Sequence, residues 1–408
     1  MNASLRTGQR GMPRSTVMMF AVASGLSVAN VYYAQPLLDA IAGDFHISHA
    51  SVGMVMTATQ IGSALALIFV VPLGDLLDRR RLMLVQLAWL ALALISLCFA
   101  SSKPLLLAGM LAVGMLGTAM TQGLIAFAAT MATPSERGRV VGAAQGGVVI
   151  GLLLARTLAG WLTDLAGWRS VYAVSGLLAV LMIAVLARML PSQQASQTPL
   201  AYLPLLRSMF ALLRHERVLQ IRGVIAMLMF AAFSVFWTSL VFPLGAPPYS
   251  YSHTMIGSFG LVGAIGALAA ARAGQLADRG LGQWVTGAAL LLLLASWLPI
   301  AFTSHALWAL IVGVIALDLG GQAIHVVNQS MIFRVRPEAH SRLVGCYMMF
   351  YAVGSGAGAI SSTMVYAYAG WNGVCLLGAA ISALACVFWL GSKQLMPGGW
   401  SSSRSIAG

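Results

Sequence analysis

Gly74-Asp75-Leu76-Leu77-Asp78-Arg79 and Gly274-Gln275-Leu276-Ala277-Asp278-Arg279 are two copies of one pattern, set 200 residues apart. Glycine, aspartate and arginine hold the same places in both. Further along, Arg139, Gly142 and the pair Gly167-Trp168 match Arg342, Gly345 and the pair Gly370-Trp371 at an offset of 203. An offset that stays almost constant from Gly74 to Trp168 marks an internal duplication. Apolar runs flank both copies in the same order, so the repeat is parallel.

The chain between these markers is too apolar for water. Of its 408 residues 59% are hydrophobic and 8% charged, and the mean hydropathy is +0.87. Soluble domains carry about 25% charged residues. Most of this surface must therefore face lipid. A net charge of +13 invites a nucleic-acid reading, but that needs a basic face on a soluble domain. Here the arginines sit in short clusters between apolar runs, the pattern that fixes membrane topology. No nucleic-acid partner is expected. Cys98, Cys346, Cys375 and Cys386 all fall in apolar runs without CxxC spacing. They read as free, packed thiols, with no disulfide framework and no metal site.

A membrane helix needs roughly 20 mostly apolar residues. Cutting at charge and turn clusters predicts twelve spans. Six lie near 17–42, 51–73, 82–100, 104–131, 140–163 and 169–189. Six more lie near 219–243, 253–276, 283–302, 305–333, 343–368 and 371–391. The basic start followed by an apolar run to Ala42 is too long for a signal-peptide core, so it reads as an uncleaved first span. The expected organisation is a cytoplasmic tail 1–16, a six-helix bundle 17–189, a cytoplasmic linker 190–218, a second bundle 219–391 and a cytoplasmic tail 392–408. The linker is polar and rich in Pro and Ser, then basic, with room for an interfacial helix. With the N-terminus inside, the arginine clusters, Arg222 among them, fall on the cytoplasmic side. Lys103 and Arg169 fall outside and Arg156 lies within a span. Both termini are therefore expected in the cytoplasm. The predicted class is an all-α, multi-pass protein of the bacterial cytoplasmic (inner) membrane.

At the loop after the second span the chain resembles the major facilitator superfamily, and the resemblance covers nearly its full length. The family motif G-x-x-x-D-R-x-G-R-R/K is matched from Gly74 to Arg81, without its later glycine, and again from Gly274. A glycine permits close helix approach. An aspartate near a helix end and an arginine in the turn can form charge-assisted bonds to a neighbouring helix terminus. The resemblance implies that Gly74, Asp78, Arg79, Gly274, Asp278 and Arg279 act as a gating latch. The plainer alternative is that the arginines are only a topology signal, but Gly and Asp at matched spacing in both halves favour the latch. The first span carries Asn30-Val31-Tyr32-Tyr33-Ala34-Gln35-Pro36-Leu37, which looks like the N-x-Y-Y-x-Q-P-L signature of a bacterial efflux-permease branch. Pro36 should open the helix there. Asn30, Tyr33 and Gln35 become candidates for substrate or gate contact, with bonding to neighbouring helices as the plainer reading. Leu152 stands where the drug–proton antiporters of the family carry proline, and the fourth span lacks their arginine.

Charges inside a span are costly and usually mark a pathway. Asp318 lies 13 residues after His305 and 16 before Arg334, near mid-membrane. At about 100° per residue, Asp318, Gln322, His325 and Gln329 share one helix face, with Asn328 beside it. This stripe is the candidate proton and substrate site; an internal hydrogen-bond network is the alternative. Arg156, in the fifth span, is the second candidate charge, unless it snorkels to the surface. The repeat partners of Asp318 and Arg156 are Met115 and Ala359, so neither charge comes from the repeated scaffold. The aromatic run Phe230, Phe233, Phe236 and Trp237 either packs or lines a cavity that favours apolar or aromatic substrates.

No HExxH, GxSxG or P-loop pattern is present, so an enzyme is not expected, nor is a cofactor. The expected partners are a small-molecule substrate, protons and the lipid bilayer, with the chain acting as a monomer. The expected function is secondary active transport by alternating access, as a proton-coupled antiporter for efflux of a small organic compound. Proton-coupled uptake or facilitated diffusion of a small metabolite is the second reading. A non-transporting membrane receptor is the third.

Overall fold

The computed structural model describes residues 12–133, 135–191, 202–336 and 340–396. Residues 1–11, 192–201 and 397–408, belonging to the expected tails and linker, lie outside them. Among the described residues every regular element is a helix. Lipid offers the backbone no hydrogen bonds, and a helix satisfies its own.

In chain order the α-helices are α1 (Arg14–Tyr32), α2 (Leu38–Phe45), α3 (His49–Leu65), α4 (Arg79–Cys98), α5 (Lys103–Met131), α6 (Arg137–Ala166), α7 (Trp168–Met189) and α8 (Tyr202–His215). They continue with α9 (Arg217–Ser239), α10 (Val241–Gly245), α11 (His253–Val262), α12 (Ala264–Leu276), α13 (Gly282–Ala295), α14 (Trp297–Ala301), α15 (Leu307–Phe333) and α16 (His340–Ser392). Among the described residues ten helical stretches are long and apolar enough to cross a membrane, and His253–Gly266 is a shorter apolar helix.

The duplication read from the sequence reappears in the backbone. α16 is two helices meeting at Gly370, whose φ is 61°. Its repeat partner Gly167 separates α6 from α7 with φ 78°. Both angles lie in the left-handed region that glycine alone enters freely. The Trp after each glycine anchors the next helix: Trp168 Nε1 donates to Asp44 and Trp371 Nε1 to the Ile300 carbonyl. Pro36 opens the first span as expected. α1 stops at Tyr32, a short 3-10 turn covers Gln35–Leu37, and α2 resumes the path.

Large apolar side chains stand exposed along the outer helices, among them Trp89 on α4, Leu177 on α7, Trp284 on α13 and Leu376 on α16. In water such a surface would be a liability; in lipid it is the expected outer face. The two halves meet through α3 against α16 and α6 against α11. Small residues bring backbones together there. A Cβ on Gly53 would stand 2.6 Å from the Ala359 carbonyl oxygen, and one on Gly160 would stand 2.1 Å from that of His253. Beyond the break at Gly263 the packing changes: α11 lies on α6, whereas α12 lies on α15 of its own half. The linker helix α8 spans the halves at the end that carries the Gly74–Arg79 loop. Tyr202 donates to the Phe69 carbonyl, and Ser208 accepts from Arg342.

Candidate functional site

A small cavity lies between the halves. α1 and α3 contribute Tyr32 and Gln60, and Gln35 follows α1; α9 contributes Phe230 and Phe233, α15 Gln322 and His325, and α16 Tyr351. The Tyr32 and Tyr351 hydroxyls meet across it at 2.5 Å. His325 is held by the Tyr347 hydroxyl at 2.9 Å and by the Phe230 ring, edge to face, at 5.3 Å. The lining mixes aromatic faces with amides, hydroxyls and one imidazole. It can grip a small organic molecule by stacking and by neutral hydrogen bonds.

Two charges lie buried beside this cavity. Arg156 on α6 is 2% exposed and Asp318 on α15 is 4% exposed. Arg156 does not snorkel. Its Nε donates to Gln35 Oε1 at 2.8 Å, and its guanidinium carbon sits 4.1 Å from the Trp237 ring centroid and 5.5 Å from that of Tyr32. Among the described residues its Nη2 has no hydrogen-bond partner, and neither has Asp318 Oδ2. No N···O approach within 4.0 Å joins the two side chains. Trp237 carries the Arg156 guanidinium on its ring, and among the described residues its indole N–H has no hydrogen-bond partner.

The sequence stripe on α15 divides in space. Gln322 and His325 line the cavity, while Asp318 packs against Gly263, between α11 and α12, and Gly266 of α12. Gln329 is half-buried nearer the other end. Asn328 turns away and accepts from Arg222 Nη1 at 3.4 Å. Gln35 reaches both the cavity and Arg156. Asn30 and Tyr33 face their own half: Asn30 accepts from Ser175 at 2.7 Å, and Tyr33 is 6% exposed.

The family follows from comparison with known proteins. The family model for the Major Facilitator Superfamily matches residues 20–315 and 273–399. The chain belongs to the Major Facilitator Superfamily. It is thus a multi-pass membrane transporter, of a family that is not enzymatic. The uncharacterized transporter YgaY of Escherichia coli O157:H7 is 43% identical over 380 residues, 91% of this chain and 94% of its own. A Helicobacter pylori protein (strain 26695) named "Probable sugar efflux transporter" is 22% identical over 376 residues, 92% of this chain and 94% of its own. The crystal structure of a bacterial homologue of the human lysosomal transporter Spinster superposes with a TM-score of 0.76 at 14% identity, covering 93% of this chain and 96% of that one. That last likeness speaks for the fold.

In this facilitator the two copies of the repeated Gly-Asp-Arg motif are built differently. Asp78 caps α4 by accepting from the Arg81 N–H at 2.7 Å, while Arg79 folds back onto the Gly74 carbonyl and the Asp75 carboxylate at 2.7 and 2.8 Å. Among the described residues, its chain neighbours aside, nothing stands within 4 Å of the place a Gly74 Cβ would take. In the second copy Asp278 accepts from Arg334 at 2.9 Å and from Ser330 at 3.2 Å, tying the loop to the end of α15. A Gly274 Cβ would meet Val326 at 3.2 Å, and Arg279 is exposed.

Several contributors escaped the sequence reading. Tyr32, Gln60 and Tyr351 are single polar residues on apolar helices, without a period to announce them. Phe230 and Phe233 line the cavity, whereas Phe236 and Trp237 are buried, so the aromatic run serves both roles. Arg222, counted among the cytoplasmic loop charges, is fully buried and bonded to Thr286 and Asn328. It lies one turn inside α9, where the cluster with Arg217 disguised it as a topology charge.

Proposed function

We propose that this facilitator is a secondary active transporter that exports a small organic compound in exchange for protons, by alternating access. The observation that carries this reading is the pair of buried opposite charges, Arg156 and Asp318, held apart without an ion pair beside a cavity lined by both halves. An unpaired charge in a membrane interior is costly and persists where function requires it. Asp318 is the proposed proton carrier, with Arg156 as its counter-charge. Gln35, Gln322 and His325 are the proposed substrate contacts; Asn30, Tyr33, Asn328 and Gln329 support them from the flanking helices. Gly74, Asp78, Arg79, Gly274, Asp278 and Arg279 form the proposed latch.

The proposed topology has twelve spans, counting α11–α12 as one and α16 as two, with both termini cytoplasmic. The bundles are 17–189 and 219–391, joined by the linker 190–218 and flanked by the tails 1–16 and 392–408. The proposed location is the bacterial inner membrane and the proposed state a monomer. The divergence of α12 from α6 supports a cavity that opens toward the latch loops, the cytoplasmic side. Efflux is supported by the name of the Helicobacter pylori relative and by the first-span signature.

The test is a substrate screen in inverted vesicles with and without a proton gradient. Accumulation of a compound that collapses with an uncoupler is the expected result. Accumulation only in right-side-out vesicles would replace export by uptake, and gradient-independent equilibration would replace it by facilitated diffusion.

A further inference from the structure

At the end of the bundle opposite the latch loops, His253 stands between two carboxylates from the other half. Its Nδ1 lies 2.9 Å from Asp164 Oδ1, at the end of α6, and its Nε2 lies 3.1 Å from Asp39 Oδ1, on α2. Asp164 does more than face the ring. It accepts from the His253 and Thr254 N–H groups at 3.1 and 2.8 Å and from the Thr254 hydroxyl at 2.6 Å. The first turn of α11, which also has its own Ser252 cap, is thus capped by a carboxylate of the opposite half. A helix N-terminus favours such an anion. One turn on, Thr157 donates to the Gly257 carbonyl at 3.1 Å. This is one of the places where the two halves meet.

The donor count at the ring sets a condition on this closure. A neutral imidazole carries one N–H, and its other nitrogen presents a lone pair. It can bond to one of the two carboxylates and must repel the other. The imidazolium donates from both nitrogens and satisfies both. Among the described residues Asp39 and Asp164 are the charged groups that face the ring. α10, which approaches Asp39 through Gly245, brings only Val241, Phe242, Pro243, Leu244 and Gly245.

We propose that His253 is a proton-binding site, separate from the Asp318 region, whose proton closes this end of the transporter by tying α11 to α2 and α6. Proton binding and closure are then linked: the closed state takes the proton more tightly, and loss of the proton favours opening by the same factor. In the topology proposed above this end faces the periplasm, so the gate responds to external pH. The site stands or falls independently of proton coupling at Asp318, because it concerns the position of an equilibrium and not net transport.

The test is a distance measurement by pulsed electron resonance. Spin labels are placed at Ser101→Cys and Ser304→Cys, both exposed at this end on opposite halves, in full-length protein whose native cysteines are replaced by alanine. Wild type is expected to show a short distance at pH 6 and a growing long-distance population at pH 10. Loss of one charge-assisted bond should change the open-to-closed ratio about tenfold. His253→Gln should show the long population at both pH values. Asp39→Asn is the second variant: its amide can donate to a neutral Nε2, so closure should persist at both pH values. A wild-type distribution unchanged between pH 6 and 10, or an Asp39→Asn variant as pH-responsive as wild type, would overturn the proposal. If His253→Gln does not fold, the comparison of wild type with Asp39→Asn decides alone.

Discussion

Arg156 and Asp318 lean on neighbouring turns of one helix, yet do not touch. A Cβ on Gly260 would stand 3.3 Å from Arg156 Cδ, and one on Gly263 would stand 2.5 Å from Asp318 Oδ2. The helix is interrupted at Gly263 itself, α11 ending at Val262 and α12 starting at Ala264. The cation belongs to one half and the anion to the other. A small movement of α11–α12 against α6 would change their separation directly, and opposite charges in a low-dielectric interior respond strongly to distance.

If the two charges attract in one state of the cycle, their effects on coupling must be non-additive. Arg156→Gln and Asp318→Asn should each reduce proton-driven transport by tenfold or more, about 1.4 kcal/mol. The double variant should be no worse than the worse single. Initial rates in proteoliposomes at equal protein level measure this. Strictly additive losses would mean that the residues act independently.

Asp318 can be separated from the rest of the cycle by comparing two assays. Exchange of labelled for unlabelled substrate needs no net proton movement, whereas accumulation does. Asp318→Asn should abolish accumulation and retain exchange within a few-fold of wild type. A variant that still concentrates substrate against a gradient would move the coupling site elsewhere.

The latch expectation gains a sharper form from Gly74. The space around it is empty in this state, so a side chain there does not strain the fold as it stands. Gly74→Leu should leave the melting temperature within about 1 °C of wild type, a change of about 1 kcal/mol or less for a chain this long. Transport should still fall several-fold, because the bulk obstructs approach in another state. Asp78→Asn keeps the shape of the α4 cap but weakens it, and should lower both. Wild-type transport by Gly74→Leu would remove the close approach from the latch.

Much of the fold was legible because lipid imposes a coarse rule. Apolar runs of span length, arginine clusters and a repeat offset are visible without any contact map. The breaks at Gly167 and Gly370 and at Pro36 could be read because glycine permits backbone angles other residues avoid, while proline fixes φ and removes a donor. The site was legible where charge marked it, at Asp318 and Arg156, because each is expensive in a span. The rest depended on facing. Asn30 and Tyr33 share a helix face with one another, but only the placement of α7 decides that Ser175 meets Asn30. Tyr32, one position away, opens on the cavity instead. His253 and Asp164 sit at span ends, where the sequence shows polar residues of every kind, and nothing local indicates that two halves meet there.

The α6–α11 contact offers a paired test of how rigid the closed end is. Between helices in lipid, small residues let backbones approach, and packing replaces the hydrophobic drive available in water. A Cβ on Gly257 would stand 2.2 Å from the Arg156 carbonyl oxygen and 2.7 Å from its carbon, both backbone atoms. Neither can move without separating the helices. One turn on, a Gly260 Cβ would meet the flexible Arg156 Cδ at 3.3 Å and the Leu153 carbonyl oxygen at 3.4 Å, a shift of a few tenths of an ångström. Gly257→Ala should therefore open this end, lower the melting temperature and raise labelling of a cysteine introduced beside it at least several-fold. Gly260→Ala should remain close to wild type in both, with an effect of about 1 kcal/mol or less. Equal behaviour of the two variants would show that α6 and α11 slide apart readily, and that the close backbone contact at Gly257 does not hold the halves together.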